Sequence, residues 1–130
     1  MKVIVKKSLG YADVTIYDND IFHTHVLSAK PLTLEQAKEI TNFRMTNMKG
    51  RKALMLSTGE DRYIIPTQEA LDYIQSTNRA ATVKGDAFVI KSLSQRLFIK
   101  TVNNLRKMQT PVSFFASNQK AIDWLLRIKS

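Results

Sequence analysis

Ala87-Phe88-Val89-Ile90-Lys91-Ser92-Leu93-Ser94-Gln95-Arg96-Leu97 is the stretch that decides the fold. It opens with a short unbroken apolar run, the signature of a strand buried on both faces. The polar residues after it contain good helix caps, Ser92 or Ser94, and an amphipathic pattern follows. Leu93, Leu97, Val102, Leu105 and Met108 fall on one side of that predicted helix, widened by Phe98 and Ile99. Arg96, Lys100, Asn103 and Lys107 fall on the other, at spacings of three or four. A buried strand feeding an amphipathic helix is half of a βαβ unit.

The same grammar recurs on either side. Upstream, Ala53 to Leu56 is a second short apolar run, closing at Ser57-Thr58-Gly59. Pro66 and Thr67 announce a helix with Glu69 in its first turn and Ala70, Leu71 and Ile74 as its apolar stripe. Downstream, Pro111 opens a strand over Val112 to Ala116, and Ser117 or Asn118 caps a last helix. The core face of that helix is Ala121, Ile122, Trp124, Leu125 and Ile128. Phe114 and Phe115, adjacent on a strand, point to opposite faces of a sheet covered on both sides.

Further upstream the period changes to two. Tyr11, Asp13, Thr15 and Tyr17 alternate with Ala12, Val14 and Ile16. Asp18-Asn19-Asp20 is a turn, and Ile21 to Leu27 returns as a second strand, so the pair reads as an antiparallel hairpin. Ser28-Ala29-Lys30-Pro31 breaks the strand. Thr33 and Gln36 form a capping box for a helix carrying Leu34, Ala37, Ile40 and Met48, with Phe43, Arg44 and Met45 between and Gly50 at its end. The order is strand, strand, helix, strand, helix, strand, helix, strand, helix. It predicts an α/β domain with a mixed, mostly parallel sheet, right-handed crossovers, flanking helices and an N-terminal β-hairpin as its antiparallel edge.

Composition sets the bounds. The chain has 130 residues, one domain's length, with 44% hydrophobic and 24% charged residues, which is globular usage. It has no cysteine, which excludes disulfides, thiolate metal sites and cysteine nucleophiles. Met1-Lys2-Val3-Ile4-Val5 carries no secretory signal pattern and no run is long enough to span a bilayer, so a cytoplasmic chain without membrane insertion is expected. The net charge of +9 is dispersed along the sequence. It reads first as a solvated surface and second as an anion-facing one. Aromatics interleaved with basic residues, as nucleic-acid platforms require, are not evident.

At this point the pattern resembles a known family. The two-stranded start, the Leu32-Thr33-Leu34-Glu35-Gln36-Ala37 helix opening, the stretch from Ala87 to Leu97, and Pro111-Val112-Ser113-Phe114-Phe115 followed by Ala121-Ile122-Asp123-Trp124-Leu125 look like the STAS-like superfamily. That superfamily comprises the sulfate-transporter and anti-sigma-factor-antagonist domains. The likeness is to its small bacterial branch without assigned function, and it runs from about Tyr11 to Trp124. It implies residues 1–130 as a single STAS-like domain, a sheet of four or five strands, and a role in binding proteins or nucleotides. Antagonist members carry a phosphorylatable serine in an Asp-Ser-Ser-Gly turn before the second helix. Here that place holds Ile64-Ile65-Pro66-Thr67-Gln68-Glu69. Thr67 is the phosphoacceptor-like position, without the flanking Asp and Gly.

Candidate site residues follow from the geometry of open α/β sheets, in which ligands settle beyond the carboxyl ends of the strands. Ser57 and Thr58 follow one predicted parallel strand, and Lys91, Ser92, Ser94, Gln95 and Arg96 follow another. Together they are the candidate ligand- or anion-binding set, the competing reading being that the serines only cap a helix. His23 and His25 project from one face of a strand, and the bland reading of the pair is an exposed stretch of an edge strand. Two histidines alone do not make a metal site, so none is expected. No Gly-x-Ser-x-Gly or His-Glu-x-x-His motif is present, and no cofactor or enzymatic reaction is expected. The functional expectation is a non-enzymatic regulatory or protein-interaction module, with an unidentified protein partner or a homodimer. The alternative is small-molecule, nucleotide or lipid binding at the C-terminal ends of the strands.

Overall fold

The computed structural model describes residues 1–61, 64–76, 78–99 and 109–129, without side chains at 97–99. Six strands form one sheet in sequence order: β1 Val3–Ser8, β2 Ala12–Tyr17, β3 Ile21–Val26, β4 Ala53–Gly59, β5 Val83–Val89 and β6 Val112–Phe115. β1, β2 and β3 are antiparallel neighbours, and β3 to β6 run parallel. The helices are α1 Leu34–Met48, α2 Gln68–Ser76, α3 Arg79–Thr82, α4 Leu93–Ile99 and α5 Asn118–Lys129.

The predicted architecture holds, with corrections of extent. The sheet has six strands because β1 pairs with β2, from Ser8 opposite Asp13 to Val3 opposite Tyr17. Its side chains are exposed except for a half-buried Val5, so it carries no inward-facing pattern for a sequence reading to find. The edge of the sheet is therefore β1, and the β2–β3 hairpin lies inside it. Ser57-Thr58-Gly59, expected as a closing loop, belongs to β4 and pairs with Thr24, His25 and Val26 of β3. Lys84-Gly85, expected to precede a strand, lies within β5, where a register shift opposite Ala53 and Leu54 accommodates it. The one-turn helix α3 has no apolar period and was not foreseen. The apolar stripe expected from Leu97 through Met108 lies outside the described side chains.

Local signals act as their chemistry dictates. The Gln36 backbone N–H donates to Thr33 Oγ1 (3.2 Å), and the Thr33 N–H donates to Gln36 Oε1 (3.0 Å). That closed capping box satisfies two otherwise orphaned donors, worth about 1 kcal/mol. Lys49 (φ 51°) and Gly50 (φ 84°) turn left-handed and stop α1. Of the alternative caps, Ser92 serves α4 and Ser117 serves α5, each accepting the N–H three residues on.

Each face of the sheet is packed separately. Val14, Ile16, Phe22 and Val26 pack with Ile40 and Met48 of α1. On the same side, Ile64, Ile65 and Leu71 pack against Phe88. On the opposite side, Ile21, Leu54, Leu56, Ala87 and Val89 pack against Ala121 and Leu125 of α5. Trp124, expected as a core anchor, is half-buried and packs at the margin of this cluster, 5.6 Å from the Phe115 ring. Phe114 faces the other way and stacks on Phe88, their centroids 5.6 Å apart.

Candidate functional site

The carboxyl ends of β3, β4 and β5 gather most of the candidate residues, on two faces. Ser57 and Thr58 are neighbours on β4, so their side chains diverge. Ser57 lines a cavity under α1 and α2. Thr58 emerges on the opposite face, between two histidines of β3. Its Oγ1 lies 2.7 Å from His23 Nε2 and 2.6 Å from His25 Nδ1, and His25 Nε2 lies 3.4 Å from Glu60 Oε1. β3 is an interior strand, so the reading of His23 and His25 as an exposed edge stretch is corrected.

A hydroxyl has one proton, so Thr58 donates to one imidazole and accepts from the other. The four side chains Glu60, His25, Thr58 and His23 thus form one directed hydrogen-bonded chain. Burial, then the neighbouring His25, Lys6 and Lys91, push the His23 imidazole down to about 4 from 6.5. His23 is neutral at pH 7. The arrangement looks like an activated hydroxyl, yet Thr58 is only 4% exposed. An attacking oxygen must come within about 3–3.5 Å of the reacting atom. The two imidazoles that hold Thr58 also shield it, so the chain serves as a rigid polar brace at the strand ends. Among the described residues no group of three or more His, Cys, Asp or Glu is placed to hold a metal ion.

The second half of the candidate set stands beside this brace. Lys91, Ser92, Leu93, Ser94 and Arg96 are exposed. Gln95 is buried and faces inward. Its Nε2 donates to the carbonyls of Gly59 (3.2 Å) and Asp61 (2.7 Å), and its Oε1 accepts the Lys91 N–H (2.8 Å). Gln95 therefore ties the end of β4 to the start of α4. Thr67 is the cap of α2. Its Oγ1 accepts the Ala70 N–H (3.2 Å), and its own N–H donates to the Leu32 carbonyl (3.0 Å).

Leu93, expected on the buried stripe of α4, is 67% exposed. It occupies the first turn of the helix.

Sequence reasoning missed a charged cluster inside the α1–α2 side. Arg44, Arg79 and Asp86 are all buried and all line the cavity that Ser57 reaches. Asp86 accepts from Arg79 at both carboxylate oxygens and from Thr110 Oγ1 at 2.9 Å. A signal was present: Ala37, Ile40, Arg44 and Met48 repeat at three and four residues, which puts an arginine on the core stripe of α1.

Six strands, a parallel run of four and helices on both faces define a mixed α/β fold. The chain belongs to the family described as "Domain of unknown function (DUF7793)", which it matches over residues 15–129. The fold is also similar to the crystal structure of an uncharacterized protein from the DUF3478 family with a SpoIIAA-like fold, from Shewanella loihica PV-4. The TM-score is 0.51 at 16% identity, over 96% of this chain and 98% of that one. No curated protein matches the chain. Among the described residues no helix is long and apolar enough to cross a membrane.

Proposed function

We propose that this chain is a non-enzymatic regulatory domain that works in the cytoplasm by presenting the carboxyl ends of its parallel strands to a protein partner, a second copy or a different chain. The observation that carries this reading is Leu93, 67% exposed among exposed Lys91, Ser92, Ser94 and Arg96. An apolar anchor ringed by polar and cationic groups is the anatomy of a small recognition patch. The ring favours a partner that sets carboxylates around an apolar pocket. The SpoIIAA-like fold supports the reading as an analogy, since folds host functions without fixing them. Bracing beside the patch, by Gln95 holding the end of β4 to the start of α4 and by Thr58 tying β4 to β3, limits the ordering cost of binding.

Leu93→Asp tests the proposal. The side chain is exposed, so the variant is expected to keep the far-ultraviolet dichroism and melting temperature of the parent. Light scattering after size exclusion reports self-association, and photo-crosslinking from Ser94 in cell extract reports another partner. The expected result is an assembly or a crosslinked band that the parent forms and the variant loses. A parent that stays monomeric and forms no crosslink, or a variant that retains whatever the parent forms, overturns the reading.

A further inference from the structure

The cavity between the sheet and helices α1 and α2 encloses about 70 Å³, room for a few waters or one small solute. Most of its wall is apolar, including Ile40, Leu71 and Phe88. Three ionised side chains also line it: Arg44, Arg79 and Asp86. Two cations against one anion leave one positive charge over.

The surplus falls on Arg44. Asp86 is already engaged by Arg79 and Thr110. Arg44 is 4% exposed, yet among the described residues its Nη1 donates only to the neutral Thr82 carbonyl (3.3 Å) and, weakly, toward Met45 Sδ (3.7 Å). Burial, then Arg79, lower the Arg44 guanidinium to about 10 against the attraction of Asp86 and Tyr73, which leaves it charged at pH 7. A buried charge that shares its neighbour's counter-ion and has no ion pair of its own is costly, and an apolar residue would fill the same position on α1 more cheaply.

We infer that this cavity is a binding site for a small monocarboxylate, with the carboxylate paired to Arg44 and a short apolar tail against Ile40, Leu71 and Phe88. A single negative charge balances the cavity, whereas a dianion overshoots it. The planar fork of a guanidinium matches a carboxylate through two parallel hydrogen bonds. The apolar walls select an acid with a hydrocarbon tail over an inorganic anion. The site is separate from the Leu93 patch and stands or falls independently of it.

The test is thermal unfolding with sodium butyrate, butyramide or sodium chloride at matched concentration. Butyrate is expected to raise the melting temperature with the logarithm of its concentration once above Kd, on the order of 10 °C at a hundredfold excess over Kd. Butyramide keeps the shape without the charge, and chloride supplies the charge without the tail; neither is expected to reproduce the shift. Arg44→Met is expected to abolish the butyrate response without lowering the ligand-free melting temperature. Ala37→Leu, which fills the cavity and keeps both arginines, is expected to abolish it as well. If Arg44→Met does not fold, Ala37→Leu carries the test alone. No response to butyrate, an equal response to butyramide or chloride, or a full response in a folded variant overturns the inference.

Discussion

Oγ1 of Thr58 sits 2.7 Å from Nε2 of His23, a diagonal contact between adjacent parallel strands, since His23 is paired in register with Leu56 and Thr58 with His25. The contact makes one hydroxyl the junction of two imidazoles. Polar side chains at a parallel strand end ordinarily reach water, but here they satisfy one another.

Thr58→Val keeps the shape of the junction and removes its oxygen. Both ring nitrogens then lose their partner while half-buried. The expected cost is about 1–3 kcal/mol, the penalty of leaving buried polar groups unpaired. Urea unfolding followed by tryptophan fluorescence measures it. A change indistinguishable from zero means that water replaces the hydroxyl at no cost.

His23 makes stability depend on pH. Its folded pKa, about 4, lies below the unfolded value of 6.5, so between those values the unfolded chain holds the extra proton. Stability from this group is complete above pH 6.5 and is lost as pH falls toward 4. At 1.36 kcal/mol per pKa unit the loss is roughly 3 kcal/mol at most. Carboxylates titrate in the lower part of the same window, so the comparison is with His23→Gln. The variant is expected to show a flatter fall in stability between pH 6.5 and 4.5. Parallel curves for the two proteins remove His23 from the account.

Asp86 is the only carboxylate among the described residues lining the α1–α2 cavity. Asp86→Ala leaves Arg79 buried with no counter-charge and also removes the attraction that Asp86 exerts on Arg44. The expected loss is about 3–5 kcal/mol. The paired replacement Arg79→Met with Asp86→Leu removes both charges and is expected to recover most of it, since apolar residues of similar volume serve a buried position as well as an ion pair. Denaturant midpoints for the single and double variants decide the point. A double variant no more stable than Asp86→Ala shows that the pair contributes specific geometry instead of mutual neutralisation.

The alternating pattern of Ala12 to Tyr17, the short runs around Leu54, Val89 and Phe114, and the caps at Thr33, Ser92 and Ser117 were enough to read the class of fold. Each is a local signal: side-chain period and backbone capping act over a few residues, so they survive in one dimension. The candidate site was half legible for the same reason. That Ser57, Thr58, Lys91, Ser92, Ser94 and Arg96 collect at one end of the sheet follows from strand direction alone. That Gln95 turns inward to hold two carbonyls, and Leu93 outward into solvent, depends on how α4 is seated in the folded chain.

By itself the sequence determined the order of elements, their caps and the mostly parallel sheet, because hydrophobic period and turn chemistry are properties of neighbouring residues. Only the tertiary structure decided that β1 pairs at the edge, that His23, His25, Thr58 and Glu60 join into one chain, and that Arg44, from helix α1, meets Arg79 and Asp86 in one cavity. Those relationships link residues up to about forty positions apart in sequence. Hydrogen bonds and charge pairs between such partners leave no period in the chain, and the low-dielectric interior that gives them their strength exists only once the chain has closed around them.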